Sequence, residues 1–330
     1  MQANRRVFLA STLAAVSSSG AGERIRIGFL GGSHSHAFEK ARVVRESPDW
    51  ELAGVWEPDA AVRAQYEKAG APLVARERLL SDSSIRAIAV ESAVKDHAEH
   101  ARWALEAGKH IHLEKPPADS FAAFRDLVEL ARRKGLLLQS GYMWRYNPAL
   151  RAAMDAGRSG RLGDIYLVKA TMNTLVAADR RPEWAIFHGG QMFEQGSHLI
   201  DLVVRLLGKP SKVTPFLRKH GNFDDNLADN TVAVLEYPRA MAVITASTLQ
   251  PNAWPHRSFE ILGTKATAVV RPIEPPALAI DSKPVQTAPY RRFVDDFAEL
   301  AAAIRGARPL TVSLDEELAV HETVMRASEM

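Results

Sequence analysis

Cysteine is missing from all 330 residues. Disulfides, thiolate metal sites and thiol catalysis are therefore excluded, although the absence names no compartment. No apolar run reaches membrane-spanning length, and the weakly apolar stretch from Val7 to Val16 is too short for a stable span. There is no basic block with interleaved aromatics and the formal net charge is only +3, so nucleic acid is not an expected partner. What remains is 46% hydrophobic and 25% charged, the make-up of an ordinary globular chain long enough for two domains with their own cores.

The first 21 residues read as an address. Asn4-Arg5-Arg6-Val7-Phe8-Leu9 resembles a twin-arginine export signal, and Ser19-Gly20-Ala21 could be cleaved as a small-x-small site. The expected location is accordingly periplasmic or otherwise exported, with a cytoplasmic protein carrying a basic N-terminus as the alternative.

From Arg24 onward, strands and helices alternate. Ile25 to Leu30, Glu51 to Trp56, Ile85 to Val90, His110 to Leu113 and Leu136 to Gln139 have strand composition, separated by helical stretches at 36–46, from Asp59 to about 69, at 97–107 and at 120–134. This predicts an α/β Rossmann domain with a doubly wound parallel sheet over residues 22–146. After Tyr146-Asn147-Pro148 the character changes. Asp164 to Thr174, Thr231 to Tyr237, Met241 to Leu249, Ser258 to Leu262 and Ala266 to Arg271 read as strands, and only 190–207 and 290–305 as long helices. Residues 147–330 are expected to form an α+β domain on a large, mostly antiparallel open sheet that binds substrate and mediates assembly. The Pro-rich stretch 272–289 reads as a surface excursion.

The turn between the first strand and first helix is Gly31-Gly32-Ser33-His34-Ser35-His36. A glycine-rich turn here lets backbone approach a pyrophosphate at a helix N-terminus. Only the first glycine of G-x-G-x-x-G is kept, and read alone the turn serves equally well as a ligand-free βα connection. Glu57 ends the second strand 26 residues after Gly31, where a carboxylate can accept both adenosine ribose hydroxyls. It would repel a 2′-phosphate, so NAD is expected over NADP. Ser92, after the third strand, is placed with Gly31, Gly32, Ser33, His34 and Glu57 among the expected cofactor contacts.

Further along, His97 opens a helix that ends in Ala107-Gly108-Lys109-His110 and is followed by Leu113-Glu114-Lys115-Pro116. Then come Arg145-Tyr146-x-Pro148 and Gly189-Gly190 before Glu194-x-Gly196-x-His198-x-x-Asp201. In this order and spacing, over residues 24–327, the chain resembles the Gfo/Idh/MocA family of sugar oxidoreductases. The resemblance implies hydride transfer between a sugar or polyol carbon and nicotinamide. Lys115 would match the family's EKP lysine at the substrate hydroxyl and nicotinamide, His198 its general acid/base, and Asp201 a residue holding substrate hydroxyls together with Arg145 and Tyr146. Glu114 would lie near the nicotinamide ribose. Glu194 stands where the family has Asp.

The residue types support that chemistry by themselves. On an α-helix Glu194, His198 and Asp201 fall at i, i+4 and i+7 on one face. A histidine can take a hydroxyl proton near neutrality, a lysine can stabilise the developing alkoxide, and a flanking carboxylate can fix the imidazole tautomer. Gly196 in mid-helix suggests a close approach. His34/His36 and His110/His112 are i, i+2 pairs, but without an obvious third ligand no metal is expected. The leading reading is an NAD-dependent oxidoreductase acting on a secondary hydroxyl of a sugar, polyol or sugar derivative. A redox-neutral sugar enzyme with retained NAD (epimerase, glycosidase or dismutase) and a non-catalytic binding homologue are the alternatives. An open sheet leaves one face to cover, so a homo-oligomer, dimer or tetramer, is expected through the C-terminal sheet.

Overall fold

A computed structural model describes residues 23–330; the proposed export signal lies outside the described residues. β1 (Ile25–Leu30), α1 (Ala37–Glu46), β2 (Trp50–Trp56), α2 (Ala60–Lys68), α3 (Arg76–Ser81), β3 (Ile85–Val90), α4 (His97–Glu106), β4 (His110–Leu113), α5 (Phe121–Lys134) and β5 (Leu138–Ser140) build a parallel sheet in the order β2-β1-β3-β4-β5. β1 and β3 are almost wholly buried, as expected of parallel strands covered on both faces. Helix boundaries follow local chemistry. Ser120 accepts a hydrogen bond from the Ala123 N–H to start α5, and Gly135 ends it in the left-handed region. The strand order reverses direction between β1 and β3, which opens a crevice at their carboxyl ends.

The second sheet is built from α6 (Pro148–Arg158), β6 (Ile165–Asn173), α7 (Arg181–Ala185), α8 (Ser197–Leu207), β7 (Lys212–Arg218), β8 (Asn230–Glu236), β9 (Met241–Ser247), β10 (Ser258–Gly263), β11 (Thr267–Val270), β12 (Leu278–Ile280) and β13 (Lys283–Val285). Its order is β13-β12-β11-β10-β6-β9-β8-β7, antiparallel except for the β6–β9 pair. Side chains alternate across it. Ala233, Leu235, Ala242 and Ile244 enter the core on the face that α6 and α8 cover, whereas Val232, Val234 and Val243 stay partly exposed on the other.

The sequence reading missed three strands. β12 and β13 lie within the stretch expected to be an excursion, and β7 was not anticipated. β7 and β13 are the two edges of the sheet, and each carries a proline, Pro215 and Pro284. Edge positions tolerate proline because its missing N–H need not join a ladder. Beyond α9 (Val294–Ile304), the helix α10 (Leu314–Ala327) was missed as well, although Ser313 and Glu316 form a capping box at its start. These last helices contact both sheets' layers. The Trp50 Nε1–H donates to the Phe297 carbonyl at 3.1 Å, the His321 ring packs 4.8 Å from that of Phe124 on α5, and α10 also lies along α8.

Arg145 occupies the joint between the two sheets. Its guanidinium donates to Asp201 Oδ1 (2.7 Å from Nη2) and to both oxygens of Glu317 (2.6 and 2.8 Å), and all three side chains are buried. The Tyr146 hydroxyl donates to Glu299 at 2.5 Å and accepts from Gln139. This corrects the expectation that Arg145, Tyr146 and Asp201 hold substrate: Asp201 is spent neutralising Arg145, and the two earlier residues border a separate cavity of about 180 Å³. Breaking a buried ion pair from one side leaves charge unpaired, at a cost of about 3–5 kcal/mol. Arg145→Ala, which strands two carboxylates, should therefore lower stability to urea by about that amount. An unchanged unfolding midpoint would show that the joint is not electrostatically held.

Candidate active site

Gly31 ends β1 at φ +79°, and a Cβ there would lie 2.4 Å from the Ser92 Cα. The turn is thus pressed against the end of β3, and the His34 N–H donates to the Glu91 carbonyl. Tyr66 of α2 covers Gly32 and donates its hydroxyl to the Gly32 carbonyl. The four residues that follow, Ser33 to His36, line a cavity of about 780 Å³ that runs along the carboxyl edge of the parallel sheet and into the second domain.

Lys115 lies two residues beyond the end of β4 and reaches this cavity. Its ammonium donates to Glu194 Oε1 at 2.6 Å and to the Glu194 carbonyl at 3.0 Å. Glu194 lies in a single π-helical turn, Met192–Gly196, that precedes α8. The wider turn takes Glu194 off the helical stripe assumed from the sequence. Glu194 therefore pairs with Lys115 rather than with the imidazole of His198, and Asp201 turns to Arg145. A Cβ on Gly196 would meet the Met192 sulfur at 2.5 Å, the close approach its presence suggested.

His198 starts α8 and lines the same cavity. Its ring packs against Trp144 (5.1 Å) and Tyr142 (5.9 Å), and its buried Nδ1 has no hydrogen-bond partner among the described residues. The expected flanking carboxylate is absent, and the imidazole is held by aromatic packing instead. Burial, reinforced by the nearby Lys115 and His36, drives its pKa well below the ordinary histidine value, so the ring is neutral.

Beneath the cavity is a charged network that sequence reasoning missed. Lys40 of α1, fully buried, donates to Glu91 Oε1 at 2.8 Å and to Glu114 Oε2, and sits 2.9 Å from His112 Nε2. Glu114 also accepts the Lys115 N–H through Oε1 (2.8 Å) and pairs with His36 Nδ1 (3.3 Å). Glu114 is fully buried and does not reach the cavity, so it braces Lys115 rather than lying at a ribose. The available signal was a lysine on the apolar stripe of α1, among Ala37, Ala41, Val43 and Val44.

Two further expected cofactor contacts are engaged elsewhere. Glu57 accepts the N–H groups of Gly32 (2.6 Å) and Asp59 (2.8 Å) and is 4% exposed, so it ties β2 to the glycine turn. Ser92 bonds His100 through its hydroxyl and His97 through its carbonyl. His34, His36 and Glu114 do come together, with ligand atoms within 4.8 Å, which supplies the third group that their spacing did not suggest. Lys40 and His36 already occupy the shared Glu114 oxygen, and the ammonium would repel a cation there.

The residues fit a dinucleotide along the crevice: the turn, the segment after β3 and Lys115 line one continuous cavity at the strand ends. Comparison with known proteins agrees. A model described as "Oxidoreductase family, NAD-binding Rossmann fold" matches residues 25–142, and the "GFO/IDH/MocA C-terminal domain" matches 150–269. The chain belongs to the GFO/IDH/MocA oxidoreductase family. Its first unit is thus an NAD(P)-binding Rossmann domain. It is 26% identical to the uncharacterized oxidoreductase YhhX of Escherichia coli over 74% of this chain and 71% of that one. It is 32% identical to the D-glucoside 3-dehydrogenase of E. coli over 38% of this chain and 36% of that one. Several other curated relatives are matched over about half their length, 45–57%. The structure of GenD2 from gentamicin A biosynthesis in complex with NAD shares the fold, with a TM-score of 0.78, 22% identity and coverage of 94% of this chain and 95% of that one. No helix among the described residues is long and apolar enough to cross a membrane.

Histidines dominate the acid response. His34, His36, His97, His100, His110, His112, His198 and His321 are all shifted down, chiefly by burial, with His36 and His321 at about 4 and His112 at about 3. Burial raises three carboxyls: Glu91 to about 8, Asp296 to about 7, and Asp201. Below pH 6.5 the unfolded chain protonates histidines that the native state keeps neutral. Their stabilisation is complete above 6.5 and lost as pH falls, and they outnumber the carboxyls that act in the opposite sense. The melting temperature should fall steadily from pH 6.5 to 5. His321→Leu, remote from the cavity, should flatten that dependence by about 1.4 kcal/mol per pH unit. A stability profile flat across this window would contradict the burial of neutral imidazoles.

Proposed function

We propose that this chain is an NAD-dependent oxidoreductase that oxidises a secondary hydroxyl of a sugar, polyol or sugar derivative. The convergence of Lys115 and His198 on one cavity carries the reading. His198, neutral and desolvated, takes the hydroxyl proton. The Lys115 ammonium, aimed by Glu194, stabilises the oxygen as negative charge develops. Bound NAD supplies the hydride acceptor. Similarity to a D-glucoside 3-dehydrogenase supports a sugar substrate. NAD is proposed over NADP because the Glu57 carboxylate, although it already accepts the Gly32 and Asp59 N–H groups, places negative charge after β2 where a 2′-phosphate would lie. Arg63 is already engaged by the Glu57 and Pro58 carbonyls and does not offset that charge at the carboxylate.

We also propose assembly through the uncovered face of the eight-stranded sheet, where Tyr166, Phe216 and Met241 are about half exposed. Export on the twin-arginine segment would place the protein where no nicotinamide pool recharges it, which favours a retained cofactor and a redox-neutral cycle.

Lys115→Ala and His198→Ala should each lose about 10²–10⁴-fold in kcat/KM with a turned-over sugar. Because His198 is depressed, the acid limb of the wild-type profile should fall below pH 6.5. Near wild-type turnover in either variant would remove the assignment, and tighter calorimetric binding of NADP than NAD would reverse the cofactor preference. Light scattering should show a dimer or larger at micromolar concentration, and fractionation should find the protein outside the cytoplasm. A monomer, or cytoplasmic uncut chain, would refute the respective proposal.

A further inference from the structure

The cavity contains a guanidinium with no ion-pair partner at contact distance among the described residues. Of the basic groups along its wall, Lys115 is paired with Glu194, Arg180 with Glu183 (3.3 Å) and Arg292 with Glu39 (2.8 Å), while Lys95 is exposed to solvent. Arg257 differs from all of these. It precedes β10 in the second domain, is 3% exposed, and takes part in no ion pair among the described residues. Its one protein hydrogen bond runs from Nε to the Asn173 carbonyl at 3.1 Å, which leaves Nη1 and Nη2 without an acceptor. Burial lowers its pKa to about 10 against the more distant pull of Glu274, which bonds Trp144 instead, so it keeps its charge at neutral pH.

A buried, unpaired cation is costly unless something completes it. Nη1 and Nη2 form the planar fork that matches a carboxylate through two parallel hydrogen bonds. Trp254, half exposed on the same wall, lies under the guanidinium with its ring centroid 3.8 Å from the Arg257 Cζ, so the indole face is taken by the fork and holds it in place. The Nη1 and Nη2 edge of the fork is left for a carboxylate entering the cavity.

We propose that the substrate is a sugar acid, a uronate-type sugar whose carboxylate is bound by Arg257. This rests on the oxidoreductase reading for its chemistry but on Arg257 for its charge. Arg257 belongs to the second domain, away from the glycine turn, so its anion is the substrate's carboxylate rather than the cofactor's pyrophosphate.

The test is calorimetric titration of the full chain, saturated with NAD, against D-glucuronate and D-galacturonate, their neutral parents D-glucose and D-galactose, and D-glucose 6-phosphate. The uronates should bind at least 10-fold more tightly than the neutral sugars and the phosphate. Arg257→Gln should erase that preference while NAD binding is unchanged. Arg257→Lys, which keeps the charge but loses the fork, should retain a weakened preference and guards against misfolding of the first variant. Neutral sugars or the phosphate binding as well as the uronates, no measurable binding of any uronate, or a preference that survives Arg257→Gln would overturn the proposal. So would Arg257→Gln losing NAD affinity instead. Nicotinamide absorbance separates the two readings: uronates that bind without reducing NAD leave the carboxylate site standing and remove the oxidoreductase, whereas efficient oxidation of a neutral sugar does the reverse.

Discussion

Lys40 satisfies the ends of two strands at once. Glu91 closes β3 and Glu114 follows β4, and both carboxylates are fully buried beside one ammonium from α1. The Lys40 ammonium holds Glu114 ionised, whereas burial raises Glu91 to about 8, so that it is largely protonated at neutral pH and accepts the lysine's hydrogen bond as a neutral group. Through Glu114 the lysine holds the Lys115 backbone, and through Glu91 it holds the segment on which the glycine turn rests. The position of the cavity's lysine is therefore set by an interaction that never touches the cavity.

The same low-polarity surroundings shape the wall above. Burial, and crowding around Lys115, makes His34, His36 and His198 each reluctant to accept a proton, so the histidines are neutral and the positive charge of the site stays on its lysines. The turn that lost two glycines gained two of these rings. Ser33 and His34 now form cavity wall where a fuller glycine fingerprint would present bare backbone, and Tyr66 packs on the glycine that remains next to Gly31.

Assembly of the two domains depends on similar economy with charge. Arg145 draws Asp201 of α8 and Glu317 of α10 onto the chain leaving β5, so the helix that carries His198 is referenced to the parallel sheet through a buried triad. α10 completes the arrangement by lying along both α5 and α8. The cleft between the domains is thus framed by elements more than 170 residues apart in the chain.

The parallel sheet was legible because its strands are short apolar runs, most of them bounded by glycine or proline, and some of the intervening helices, such as α2 and α5, carry their own caps. Lys115 and His198 were legible for a related reason: a residue at the end of a strand or the start of a helix inherits its position from local structure. Partners were not. Glu194, His198 and Asp201 looked like one stripe, but a single π turn and the pull of Lys115 and Arg145 sent the two acids to different cations. Glu57 and Ser92 sat where a cofactor contact was expected and were claimed by backbone N–H groups and histidines. Local periodicity and turn chemistry determined the elements, since they act between residues a few positions apart. Tertiary structure decided every charge pairing, because the cost of burying an ion is settled only when the whole chain has chosen what lies beside it.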